Sequence, residues 1–114
     1  MADQGSLDAE DAKLVTLARG ARGRVGAPQG AALRDETGRT YASASVDLPS
    51  VRLSALVLVV AQAAASGARG AEAAVVVGPD PSEADIVAMR DLAGPGVTVM
   101  VCATDGTIRS RAAT

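Results

Sequence analysis

Residues 72–103 read EAAVVVGPDPSEADIVAMRDLAGPGVTVMVCA, and this stretch decides the fold. Val75-Val76-Val77 is a short, uniformly apolar run closed by Gly78-Pro79, so Glu72 to Val77 is predicted to be a strand buried on both faces. Ser82 follows as a helix N-cap, with Asp85 three residues on as its capping-box partner. Ile86, Met89, Leu92 and Ala93 then recur at helical spacing, and Gly94-Pro95 stops the helix. Val97 to Ala103 is a second buried strand. A strand, a helix and a strand of these lengths close into a parallel pair through a right-handed crossover.

Working outward, Asp105-Gly106 is a tight turn, and Thr107 to Arg111 is a last strand antiparallel to its predecessor. Upstream, Pro49 and Ser50 open a second helix that reaches Ser66 and stops at Gly67. Val51, Leu53 and Leu56 to Val60 make it apolar on all sides, so it is expected to be buried or to lie between the sheet and a partner subunit. Before it, Ala31–Arg34 and Thr40–Val46 flank the turn Asp35-Glu36-Thr37-Gly38 as a β-hairpin. Gly23, Gly26, Pro28 and Gly30 form a loop that lacks the Gly-Lys-Ser/Thr ending of a phosphate cradle. A first helix is expected from Asp8, its N-cap, to Arg22, with Leu7 as a staple and Leu14, Leu17, Ala18, Ala21 and Val25 as its buried stripe. Arg19, Arg22 and Arg24 at its far end read as a solvated, dipole-complementing cap. The expectation is an α/β fold: a three-layer α/β/α domain with a five-stranded mixed sheet over residues 8–114, after a flexible N-terminal tail of residues 1–7.

The composition narrows the function. At 114 residues one domain is expected, and Tyr41 is its only aromatic residue, so Ala, Val and Leu must fill the core. Small side chains contribute little buried area each, and burial between subunits would offset that, so a homo-oligomer is expected. A net charge of −2 with both signs interspersed argues against a nucleic-acid partner. The run Leu53 to Ala65 is too short for a membrane span, which needs roughly 20 residues. With one cysteine and no signal-like N-terminus, a cytoplasmic protein is expected.

Several short stretches, in this order, resemble the cytidine deaminase family. Gly30-Ala31-Ala32-Leu33 and Thr37-Gly38-Arg39-Thr40-Tyr41 are similar to the family's Gly-Ala-Ala-Leu hairpin with its Asp-Gly-Arg turn. Ser45-Val46-Asp47 sits where the family has Asn-Val-Glu, which holds the ribose, and Ser54-Ala55-Leu56 where its second helix begins Cys-Ala-Glu or His-Ala-Glu. Ala65-Ser66-Gly67 resembles that helix's end, Ala88-Met89-Arg90 falls where the family carries Pro-Cys-Gly-x-Cys-Arg, and Asp105-Gly106 matches the turn before its last strand. The similarity spans residues 8–111 and rests on the order of these motifs. It implies the family's fold, and it implies a zinc held by one His or Cys and two further Cys, with a Glu as proton shuttle.

The departures fall on the chemistry. By this resemblance the first metal-ligand position is Ser54, the two cysteine positions are Ile86 and Met89, and the catalytic glutamate position is Leu56. Zinc takes thiolate, imidazole or carboxylate, and Leu moves no proton. A shifted alignment does not restore the set, because the chain has no histidine and Cys102, its one cysteine, lies in a later strand. Leu56, Ile86 and Met89 are therefore expected to be ordinary core, with no metal, no cofactor and no catalytic residue. Ser45 and Asp47 keep hydrogen-bonding groups and are a possible ligand-binding pair, though they also read as polar strand-end residues.

Other chemistry is weaker. Lys13, the only lysine, lies on the polar side of the first helix and reads as a surface residue, so a Ser–Lys pair is not expected. Asp80, Glu83 and Asp85 crowd the start of the third helix, where negative charge complements the dipole. Cys102 reads as an inert core thiol. The expectation is a catalytically silent, zinc-free pseudoenzyme that self-associates through its second helix or binds another protein. The alternatives are a cytidine or nucleoside deaminase, a hydrolase, with a displaced metal site, and a non-catalytic nucleoside or small-ligand sensor.

Overall fold

The computed structural model describes residues 7–114. The elements run α1 (Ala9–Val25), β1 (Gly30–Asp35), β2 (Thr40–Ala44), β3 (Val46–Leu48), β4 (Val51–Leu53), α2 (Ala55–Ala65), β5 (Ala71–Val77), α3 (Glu83–Ala93), β6 (Thr98–Cys102) and β7 (Ile108–Ala113). Five strands form one mixed sheet in the order β2-β1-β5-β6-β7. Only β5 and β6 pair in parallel, joined through α3; the other neighbours are antiparallel.

Alternation along the central strand explains the layers. Ala73, Val75 and Val77 of β5 pack on one side with Leu14, Val15 and Ala18 of α1 and with Met100 and Cys102 of β6. Ala74 and Val76 pack on the other side with Leu56 and Val59 of α2, Met89 of α3 and Val99 of β6. β5 is thus buried on both faces, which is why its sequence reads as an unbroken apolar run. A core of small residues works because the layers approach closely: a Cβ on Gly30 would collide with the Ala18 carbonyl and the Arg22 side chain.

The first helix is capped by Asp8, whose carboxylate accepts the Asp11 N–H at 2.8 Å, but it runs past Gly23 to a left-handed Gly26. Its buried stripe is Leu14, Val15, Ala18 and Ala21; Leu17 and Val25 are exposed, at 38% and 67%. The helix leans on the sheet so that position 15, not 17 or 25, faces β5. Arg19 and Arg22 are not merely solvated, since their Nε atoms donate to the carbonyls of Thr104 and Pro28. The tail expected over residues 1–7 lies outside the described residues except for Leu7, which packs against the α1-side core.

The largest difference from the sequence reading is at 46–54. Pro49-Ser50 does not open a helix; it is the turn of a small hairpin, β3 and β4, with Val46 opposite Leu53 and Leu48 opposite Val51. Asp47 and Arg52 face each other there at 3.1 Å. β-branched Val46 and Val51 suit the extended chain, and the helix waits for Ser54, whose hydroxyl accepts the Val57 N–H.

The turn between β1 and β2 is organised by a buried carboxylate. Asp35 accepts from the Thr37 N–H and hydroxyl, the Arg39 N–H and the Tyr41 hydroxyl at 2.8 to 3.0 Å. Burial alone would raise its pKa; the hydrogen bonds from Thr37, Tyr41 and Arg39 outweigh it and hold the group at about 2.

Candidate functional site

The N-termini of α2 and α3 meet on the same side of the sheet, and the polar groups there are already joined. Ser54, the N-cap of α2, donates its hydroxyl to Asp85 Oδ1 at 2.8 Å. Asp85, in the first turn of α3, accepts the Ser82 N–H on Oδ2 at 2.9 Å and gives its own N–H to Ser82 Oγ at 3.1 Å. The capping box expected from Ser82 and Asp85 is present. The link from Asp85 to the other helix is the feature the sequence did not expose. The i, i+3 spacing of Ser82 and Asp85 after Pro81 was legible; which side chain lay opposite was not.

Leu56 is 1% exposed and Met89 fully buried, both in one apolar cluster beneath the two helix ends, with Ile86 packed against it. Ser54 therefore shares hydrogen bonds with Asp85 and not with Ile86 or Met89. Asp80 and Glu83 do not join Asp85. Asp80 pairs with Arg109 at 2.9 Å, and Glu83 is exposed in the first turn of α3. Lys13 is paired with Glu10, one turn earlier in α1.

Ser45 and Asp47 lie on an open groove of about 620 Å³, shared with Val25, Gln29, Leu48 and Pro79. The Ser45 hydroxyl accepts the Gln29 N–H at 3.3 Å, so part of its capacity is spent on the backbone. Asp47 projects into solvent and meets Arg52. Gln29, which the sequence reading passed over as loop, ties the groove to the helix ends: its Oε1 accepts the Ala55 N–H of α2 and its Nε2 donates to the Pro79 carbonyl. A polar residue between Pro28 and Gly30, just ahead of a buried strand, was the only signal for it.

The donor set at the helix ends does not fit a zinc ion. It consists of two hydroxyls and one carboxylate, and both carboxylate oxygens are engaged. Among the described residues no group of three His, Cys, Asp or Glu side chains is placed to hold a metal. Cys102 is buried on the α1 side of the sheet, where burial raises its thiol pKa despite Arg109 and Arg111 nearby. No helix among the described residues is long and apolar enough to cross a membrane.

Comparison with known proteins agrees with the architecture. A cytidine deaminase-like family model matches residues 7–106. The crystal structure of cytidine deaminase from Burkholderia pseudomallei superimposes with a TM-score of 0.77 at 25% identity, covering 90% of this chain and 89% of that one. Cytidine deaminase from Mycobacterium leprae gives 0.69 at 19% identity, over 90% of this chain and 93% of that one, a likeness of fold alone. No curated protein matches the chain.

Proposed function

The chain belongs to the cytidine deaminase-like family, and we propose that within it this protein is catalytically silent and zinc-free, acting through self-association or partner binding. One observation carries the reading. Where the resemblance puts a metal ligand and a proton shuttle, the chain has Ser54, hydrogen-bonded to Asp85, and Leu56, buried in core. No thiol or imidazole is within reach to make a water acidic near neutral pH, and no carboxylate replaces Leu56.

The surface of α2 supports the second half of the proposal. The helix has no charged residue, and only Ala55, Leu56, Val59 and Ala63 are buried by the chain itself. Val57, Val60, Ala61 and Ala64 line a groove of about 310 Å³ against α3. A helix of this composition matches burial against a second copy, with small side chains that permit close approach.

The test is direct. The purified protein is analysed for bound zinc and assayed with cytidine and deoxycytidine. Absence of both stoichiometric metal and ammonia release is expected; stoichiometric zinc or steady turnover overturns the reading in favour of a deaminase with a displaced site. The groove at Ser45 and Asp47 favours a second reading, a nucleoside sensor without turnover. A nucleoside-dependent rise in melting temperature supports the sensor, and no shift supports the interaction role.

A further inference from the structure

We infer that a metal-independent hydrogen-bond clasp has replaced the zinc as the link between α2 and α3, and that the vacated ligand positions are Ser54, Ser82 and Asp85. The inference rests on the zinc-free reading above. It also moves two of the three positions by one helical turn. The family's Pro-Cys-Gly-x-Cys pattern, laid on Pro81-Ser82-Glu83-Ala84-Asp85, puts its cysteines on Ser82 and Asp85 in place of Ile86 and Met89.

The geometry supports that placement. Ser82 and Asp85 sit at the start of α3, with Asp85 hydrogen-bonded to both Ser54 and Ser82, whereas Met89 lies a turn deeper in apolar core. The donors and acceptors form one continuous chain. The Val57 N–H gives to Ser54 Oγ, the Ser54 hydroxyl to Asp85 Oδ1, and the Ser82 N–H to Asp85 Oδ2. Each helix N-terminus carries roughly half a positive charge from its unpaired N–H groups. Two such ends facing each other repel unless negative charge lies between them. Asp85, 9% exposed, supplies that charge to both. Gln29 closes a third side by taking the Ala55 N–H. A bound cation would have to break this chain to enter.

Two measurements test the clasp, with a third separating its failure from that of the silent-enzyme reading. In a double-mutant cycle, S54A and D85A are unfolded in urea, singly and together, with and without chelator. Strong coupling is expected: the double variant should have an unfolding constant at least fivefold lower than the product of the single effects predicts, and chelator should change nothing. Additive effects overturn the clasp. The triple variant S54C/S82C/D85C is then titrated with cobalt. It should bind one equivalent and show thiolate-to-cobalt charge transfer, while S54C/I86C/M89C should not. Charge transfer in the second variant, or its absence in a first variant that keeps native circular dichroism, overturns the placement. If the second variant fails to fold, cobalt binding by the first alone decides the placement; if the first fails, the double variant S54C/D85C takes its place, and absence of thiolate-to-cobalt charge transfer in it overturns the placement. Stoichiometric zinc in the wild-type protein removes both readings; a zinc-free wild type with additive energies removes only the clasp.

Discussion

Replacing Leu56 by glutamate puts back the residue type that the family resemblance places at the start of the second helix, and it asks whether that position is still a cleft or has become core. Leu56 is 1% exposed and shares an apolar cluster with Val59, Val76 and Met89. Removing its buried side chain forfeits about 1.5–3 kcal/mol of apolar burial. A carboxylate buried without a cation has its pKa raised by up to about 3–5 units, which at about 1.36 kcal/mol per unit adds about 4–7 kcal/mol above that raised pKa. The helix N-terminus returns only about 0.3–1 kcal/mol, so burial wins. The total rivals the whole stability of a typical domain, about 5–15 kcal/mol. The sign of the pH dependence follows from the raised folded-state pKa. The ionic penalty is full above that pKa and vanishes below about 4.3, the unfolded value. L56E is therefore expected to be largely unfolded at pH 8 and to recover stability as pH falls toward 5. L56Q, which pays only for a polar group, should show no such recovery. Urea denaturation followed by circular dichroism from pH 5 to 8 reads both. An L56E protein within about 1 kcal/mol of wild type at pH 8 would mean water reaches position 56, and the filled-site argument fails.

Three other outcomes are open to measurement. Asp35 has a folded-state pKa of about 2, below its ordinary 3.8, so its stabilisation is present above pH 4 and lost as pH falls through 2; D35N should be less stable than wild type at pH 7, and the gap between the urea midpoints should narrow steadily as pH falls from 4 toward 2. A61R places a cation on the exposed apolar face of α2, where the fold tolerates it to within about 0.5 kcal/mol. The wild type is expected to self-associate in sedimentation velocity and A61R to run as a monomer; a wild type already monomeric at tens of micromolar refutes the self-association surface. G30A drives a methyl into the Ala18 carbonyl and the Arg22 side chain and should cost about 1–3 kcal/mol; an unchanged melting temperature would refute the close packing of α1 on β1.

The fold was legible where local pattern and tertiary burial agree. β5 is apolar at every inward position because both its faces are covered, and Ser82, Asp85 and Gly94 mark the ends of α3 with residue types that helix termini favour. It was illegible where two local signals compete. Pro49 suits a helix start and a turn equally well, and only the pairing of Val46 with Leu53 decides for the turn. The stripe on α1 was misplaced because Leu17 and Val25 are as hydrophobic as Leu14 and Val15; which of them meets β5 depends on how the helix is rotated against the sheet. At the candidate site, Ser54 was found because it begins a motif. Asp85 was read only as a cap, because its second partner lies 31 residues away and no periodicity encodes that distance.

What places α2 and α3 bears on what the protein can do. Leu56, Val59 and Met89 hold the two helices from below, against Val76 and Val99 of the sheet, so apolar packing sets their relative position beneath the polar clasp that joins their ends. A metal at those ends would add a link the scaffold does not require, and a change of ligand there costs the fold only the satisfaction of a few N–H groups, which Ser54, Ser82 and Asp85 supply. Scaffold and chemistry are thus separable in this architecture: the first survives in the two apolar layers, while the second depends on side chains that the layers do not constrain. Selection for an activity other than deamination would then act on surface the core leaves free, and the uncharged outer face of α2 is part of that surface.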